Sequence, residues 1–344
     1  MALTGSQSES AFQFVRSFCD QHVGRLFVVI AAFACFGCGN GQPKPLNANA
    51  EGLTKVRLAL NWHPEAEHGG FYAAQVNGFF KDAGLDVEII PGGPNSPVIQ
   101  ELITGRVEFG IINADQIFLG QAQDANVRAL MAPLQNGPRC IMVHEKSGIE
   151  KFEELNNMTI SLSEAKPFAM YLKKKFPFEN VEFIPYSGRI EEFLLTDNFA
   201  QQAYVFSEPF TAKHKGGDPK VLMLSDVGFN LYSSILIADE TTITSSPKIV
   251  KAMVQASVKG WQAYLADPEA TNKVINQANP AMEMDALAFG VEAMRPLCAT
   301  EGELPFGSMT KERWQLLHDQ MVDIGVIDAS DVSVDGAFTT EFLP

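Results

Sequence analysis

Cysteine is scarce in this 344-residue chain: of five, Cys19, Cys35 and Cys38 precede residue 39, leaving only Cys140 and Cys298 in the remainder. That remainder has no zinc-ligand spacing and no disulfide framework. Cys140 and Cys298 are expected as buried free thiols, with a disulfide between them as the alternative. Basic residues are few as well, 26 against 41 acidic ones for a net charge of −15. With no long basic run, binding to nucleic acid or to an anionic membrane surface is not expected. No apolar run reaches the roughly 20 residues a bilayer-spanning helix needs. A Walker loop, G-x-S-x-G, H-E-x-x-H and a glycine fingerprint after a strand are all missing. His63 and His68 flank Glu65 and Glu67, but Pro64 breaks the helix that a metal-binding spacing would use. Neither metal, cofactor nor catalytic residues are therefore expected.

The N-terminal region is punctuated differently from the rest. Leu26 to Phe36 is apolar, too short to span a membrane, and is followed by Gly37 and Cys38, then by a stretch rich in Gly, Asn and Pro. Residues 1–38 read as a signal peptide and 39–54 as a flexible linker. A small residue before a cysteine at that point resembles a bacterial lipobox, which implies lipidation of Cys38 and a lipid-anchored protein in the periplasm or at the cell surface.

From residue 55 short apolar runs alternate with helical periodicity, the pattern of an α/β fold. "VRLAL", "DVEII" and "VEFGIIN" read as strands. "GGFYAAQVNGFFKDAG" reads as one helix, and "SPVIQELITG" as another with Ser96 as cap and Gly105 beyond its end. A second set follows: "MTISLS", "VEFIPY" and "QAYVFSE" as strands, with helices between. "LYSSILIADETT" returns as a strand, and the rest is helical, with apolar stripes through Trp261 and Trp314. The expected architecture has two lobes, each a mainly parallel sheet flanked by helices. Residues 55–140 begin lobe 1, 141–230 form lobe 2, and 231–344 complete lobe 1, with two hinge crossings between.

Ligands of open α/β sheets sit beyond the carboxyl ends of the strands. Asn61 and Trp62 follow the first strand, His68 and a glycine pair precede the first helix, and Asn113 follows the third strand. Trp62 can stack on a flat ligand, or it can simply cover the sheet end. Glu208 ends a strand of the second lobe, where a ligand's amino group beside a ring nitrogen would satisfy its carboxylate. Tyr186 is its expected neighbour.

"LNWHPEAEHGGFYAAQVNGFFKDAGLDVEI" is similar to the substrate-binding proteins of bacterial ABC importers, in the superfamily of sulfonate, nitrate and thiamine-pyrimidine-precursor binders. The shared pattern is Asn61, Trp62, Pro64 and His68, then Gly78, Phe80, Gly84, Leu85, Asp86 and Val87, with "VEFGIINADQIF" and "YVFSEPF" as further landmarks. It resembles most the pyrimidine-precursor branch and its eukaryotic relative, the thiamine pyrimidine synthase. The resemblance implies a type II periplasmic-binding-protein fold, an ABC permease partner in the inner membrane and a monomer. It also implies a tryptophan against the ligand and a glutamate on its aminopyrimidine, matching Trp62 and Glu208. The synthase's cofactor lysine and reactive histidine align with Ile112 and Gln116, and "GFNLYSS" replaces its cysteine-rich iron motif, so that chemistry is not expected here. Two alternatives stay open: a sulfonate- or nitrate-type anion binder, and an enzyme on this fold using His68 and Glu208.

Overall fold

The computed structural model describes residues 47–344 except 300, 301 and 303. The signal segment, Cys38 and the linker up to residue 46 lie outside the described residues. Among the described residues ten strands form two five-stranded sheets. The first contains β1 (Thr54–Ala59), β2 (Leu85–Ile90), β3 (Phe109–Ile112), β4 (Val127–Met131) and β10 (Ile235–Asp239), in the order β2-β1-β3-β10-β4. The second contains β5 (Arg139–His144), β6 (Thr159–Leu162), β7 (Glu182–Pro185), β8 (Phe199–Tyr204) and β9 (Pro219–Met223), in the order β7-β6-β8-β5-β9.

In each sheet four strands share a direction and one runs against them: β10 is antiparallel to β3 and β4, and β5 to β8 and β9. The mainly parallel reading holds, and the reversed strand has a topological cause. It is the first strand laid down after the chain crosses from the other sheet. The crossings, residues 132–138 and 224–234, are tied together: Ser233 N–H donates to the Leu134 carbonyl at 3.2 Å, and Gly137 N–H to Asn230 Oδ1 at 2.8 Å. Arg313, from the Lys311–Asp323 helix, donates to carbonyls of both crossings, Gln135 and Asn230.

Packing explains which faces turn inward. The Pro247–Ala266 helix buries Val250, Met253, Val254, Ser257, Val258 and Trp261, the stripe expected from its sequence. It lies against the Gly69–Val76 helix, where glycines allow backbones to approach. A Cβ at Gly70 would sit 2.1 Å from Trp261 Cγ, and one at Gly260 would sit 2.2 Å from the Gly70 carbonyl oxygen. Fully burying side chains of this kind contributes roughly 1.5–3 kcal/mol each. Cys140 and Cys298 are free, buried thiols.

Several local readings need correction. "GGFYAAQVNGFFKDAG" is two helices, Gly69–Val76 and Phe79–Asp82, because Gly78 takes a left-handed conformation at φ 75°. Ser96 does not cap its helix; its hydroxyl accepts from Gly93 N–H at 2.7 Å, closing the preceding turn. The strand before Glu208 stops at Tyr204, and Glu208 is the first residue of the Glu208–His214 helix. Strands β4 and β9 had no clear signal: "PKVLM" opens with proline and lysine and is mostly half-buried.

Candidate functional site

The carboxyl ends of the parallel strands in both sheets meet at one cleft. It is a cavity of about 160 Å³ lined by Asn61, Trp62, Glu65 and Glu67 from the β1 side and by Arg139, Tyr186, Ala203, Tyr204, Ser207 and Glu208 from the second sheet. Four of the six expected site residues, Asn61, Trp62, Tyr186 and Glu208, line it. His68 and Asn113 do not, and each holds a residue that does.

His68 is fully buried. Burial pushes its imidazole down to about 3, so the ring is neutral. Its Nδ1 accepts the Glu65 backbone N–H at 3.4 Å, which puts the proton on Nε2, 2.9 Å from Asn61 Oδ1. That bond takes the Asn61 carbonyl oxygen and leaves its amide nitrogen as the group to offer the cleft. The histidine is thus a positioning residue. Asn113 works likewise across the two sheets: its Oδ1 accepts Ser234 N–H at 3.2 Å, and its Nδ2 donates to the Tyr204 hydroxyl at 2.9 Å.

On the second sheet, Glu208 accepts from the Tyr186 hydroxyl at 2.5 Å and from the Tyr204 backbone N–H at 2.8 Å. Burial, then the neighbouring Glu208, raises the Tyr186 phenol far above its ordinary value, so Tyr186 is the donor. Trp62 is 36% exposed, and its one ring contact among the described residues is an edge-on approach of His63 at 5.3 Å. Its indole face is not consumed by the core.

Six residues of the cleft wall were not expected as ligand contacts: Glu65, Glu67, Arg139, Ala203, Tyr204 and Ser207. The two glutamates are buried, at 5% and 1% exposure. Burial first, then the nearby Glu67 and Glu208 carboxyls, drives Glu65 well above the usual carboxylate range. Burial lifts Glu67 to about 7 against a hydrogen bond from Ser234, whose hydroxyl lies 2.8 Å from Oε2. A pair of acids between two histidines was visible in the sequence, but it was weighed only as a metal site, which Pro64 argues against. Arg139 opens β5 and pairs in register with Tyr204, which ends β8. That juxtaposition of residues 65 apart leaves no local mark in the sequence.

Two five-stranded sheets, each with one reversed strand and with a cleft between their carboxyl ends, define the periplasmic-binding-protein fold. The aliphatic sulphonate binding protein SsuA of Escherichia coli superposes with a TM-score of 0.65 at 12% identity, covering 83% of this chain and 92% of that one. Over residues 65–271 the sequence matches the NMT1/THI5-like family, and the chain belongs to it. Its relatives include the formylaminopyrimidine-binding protein of Halalkalibacterium halodurans, 23% identical over 282 residues (77% of this chain, 84% of the relative). The riboflavin-binding protein RibY of Chloroflexus aurantiacus is 23% identical over 315 residues (85% and 87%). A 4-amino-5-hydroxymethyl-2-methylpyrimidine phosphate synthase of Uromyces fabae is 24% identical over 246 residues (66% and 72%).

Proposed function

We propose that this chain is an extracytoplasmic solute-binding protein of an ABC importer, which holds a small amino-substituted heteroaromatic ring between its lobes and passes it unchanged to a membrane permease. The observation that carries this reading is the pairing, in one cavity, of an uncommitted indole face at Trp62 with the Glu208 carboxyl at the opposite wall. The indole stacks on the ring while Glu208 accepts from its amino edge and adjoining N–H. Asn61, fixed by His68, supplies a further polar contact. Closure follows from bending at the paired crossings, residues 132–138 and 224–234, which carry the only chain connections between the sheets among the described residues. A cavity of about 160 Å³ suits one substituted ring better than a fused tricycle.

The formylaminopyrimidine-binding relative supports this ligand class, and the lipobox-like Gly37–Cys38 supports a lipid anchor. The Glu208 carboxyl at the cleft, met by no cation within ion-pair distance among the described residues, weighs against a free sulfonate or nitrate. Ile112 and Gln116 weigh against the synthase's chemistry. The first is 1% exposed in the β3 core, and the second spends its Oε1 on the Asn113 backbone N–H at 3.1 Å. Neither can form an imine or donate an imidazole ring.

Calorimetric titration of the purified protein with 4-aminopyrimidines, riboflavin, an alkanesulfonate and nitrate tests the reading. Mass spectrometry of the recovered ligand tests whether it leaves unchanged. Binding of an aminopyrimidine that weakens at least tenfold in Glu208→Gln is the expected result. Sulfonate binding alone, or a chemically altered ligand, would discard it.

A further inference from the structure

Arg139 is the one cationic side chain lining the cleft, and it forms no ion pair among the described residues although Glu65, Glu67 and Glu208 line the same cavity. Its guanidinium is held by rings instead. Its central carbon lies 4.2 Å from the centre of the Phe168 ring and 4.5 Å from that of Tyr204. A guanidinium has five N–H donors in a plane, and stacking fixes that plane without using them. One Nη2 donates to the Tyr204 hydroxyl at 2.8 Å. The same hydroxyl accepts from Asn113 Nδ2 at 2.9 Å, so its two lone pairs are taken and its own proton is what it has left to give. Asn113 cannot reverse its amide, because Ser234 N–H occupies its Oδ1.

The arrangement therefore leaves adjacent donors, the remaining guanidinium edge and the Tyr204 O–H, with no carboxylate hydrogen-bonded to them among the described residues, although the guanidinium's charge is felt by the buried Glu67 and Asp115 carboxyls. Both residues also line a smaller cavity of about 20 Å³ behind the cleft, shared with Asn113, Asp115 and Ser233. Tyr204 and Arg139 are the partition between the two spaces. An unpaired cation held this way in a half-buried wall is costly unless a ligand completes it.

We infer that Arg139 and Tyr204 form an acceptor-binding subsite, so that the cleft selects an aminated ring that also carries a carbonyl or carboxylate group. This inference rests on the aminated-ring reading above and deepens it. The amino edge meets Glu208 on one side, and the acceptor oxygen meets Arg139 and Tyr204 on the other. The ligand is bifunctional, and a ring with only the amino group uses half of the site.

Three probes test this: 4-amino-2-methylpyrimidine, its 5-carboxamide and its 5-carboxylate, titrated into the wild type, Arg139→Met and Tyr204→Phe. Arg139→Met keeps a stem between the rings, and Tyr204→Phe keeps a ring under the guanidinium. In the wild type at least one of the two substituted rings binds tenfold or more tighter than the parent. That ratio falls toward one in Arg139→Met and falls partway in Tyr204→Phe. The carboxamide and carboxylate arms tell whether the acceptor is neutral or ionic. Circular dichroism and thermal melts check folding, and if Arg139→Met fails to fold, the Tyr204→Phe ratio decides. A parent ring that binds as well as both derivatives overturns the inference and leaves the ligand reading standing. So does a ratio that survives in every folded variant. If none of the three rings binds, the aminated-ring reading fails and this inference fails with it.

Discussion

The two walls of the cleft stand on sheets of the same strand order, yet they are held by different physics. On the first sheet the Asn61–His68 loop stands directly on the core. His68 and Glu67 have at most 1% exposure, and the glycines that follow let the Gly69–Val76 helix press against Trp261 and Tyr264. On the second sheet Arg139, Tyr186, Tyr204 and Glu208 are half-buried and are held by hydrogen bonds and ring contacts to one another. The first wall is thus positioned by packing, which tolerates little change in volume. The second is positioned by a polar network, whose members can be exchanged one at a time.

Removing the packing should have the largest effect. Trp261 is fully buried, 5.9 Å edge-on from Phe71 and 6.3 Å from Tyr264. Trp261→Ala is expected to cost about 3–5 kcal/mol of folding stability through lost contacts and a cavity. Denaturant unfolding measures it. Ligand affinity should fall too, because the emptied space lies beneath Gly70 and frees the loop that carries Asn61 and Trp62. A loss under about 1 kcal/mol would mean that this wall does not depend on packing.

The buried titratable groups of the first wall make it the pH-sensitive one. Glu67 is raised to about 7 from an ordinary 4.5, so the folded protein keeps a proton that the unfolded chain releases. Its contribution therefore makes stability fall as pH rises through that window. His68 is lowered to about 3 from 6.5, so the folded protein refuses a proton that the unfolded chain accepts. Its contribution is fully present above 6.5 and is lost as pH drops toward 3. The two oppose each other where the windows overlap. Glu65→Gln/Glu67→Gln removes the first, and stability should then climb more steeply between pH 4.5 and 6.5 than in the wild type. The difference should be about 1 kcal/mol per pH unit for each proton removed. Urea midpoints at pH 4.5, 5.5 and 6.5 read this directly. Identical slopes in the two proteins would show that these carboxyls are solvated.

What the sequence made legible follows the same division. Packing leaves periodic marks, so the strands at 56–60 and 86–90 and the stripe through Trp261 could be read, and the segments that follow strands pointed to Asn61, Trp62 and Glu208. Contacts between distant segments leave none. Arg139 looks like a polar residue opening a strand, and Tyr204 like one more apolar position within one. His68 was recognisable as part of the pattern, but only the fold shows that its imidazole is spent on Asn61. Strand β9 was hidden because an edge strand with proline and lysine needs little hydrophobicity.

Trp62 offers the smallest effect and the sharpest contrast, since it belongs to the packed wall by sequence but not by packing. It is 36% exposed, and among the described residues the only ring that meets its indole is His63, edge-on. Trp62→Ala should leave folding stability within about 0.5 kcal/mol of the wild type, as exposed substitutions usually do. Stacking on a flat ligand contributes roughly 0.5–1.5 kcal/mol beyond the area covered, so affinity for an aminated ring should fall by about tenfold. Trp62→Phe, which keeps a smaller ring face, should recover part of that loss. The pair of variants separates stacking from mere covering of the sheet end: a lost cover would lower the unfolding midpoint and leave affinity nearly unchanged, whereas a lost stacking face lowers affinity alone. Set beside Trp261→Ala, the comparison asks whether two tryptophans on the same side of the cleft serve different ends, one holding the wall in place and the other meeting the ligand.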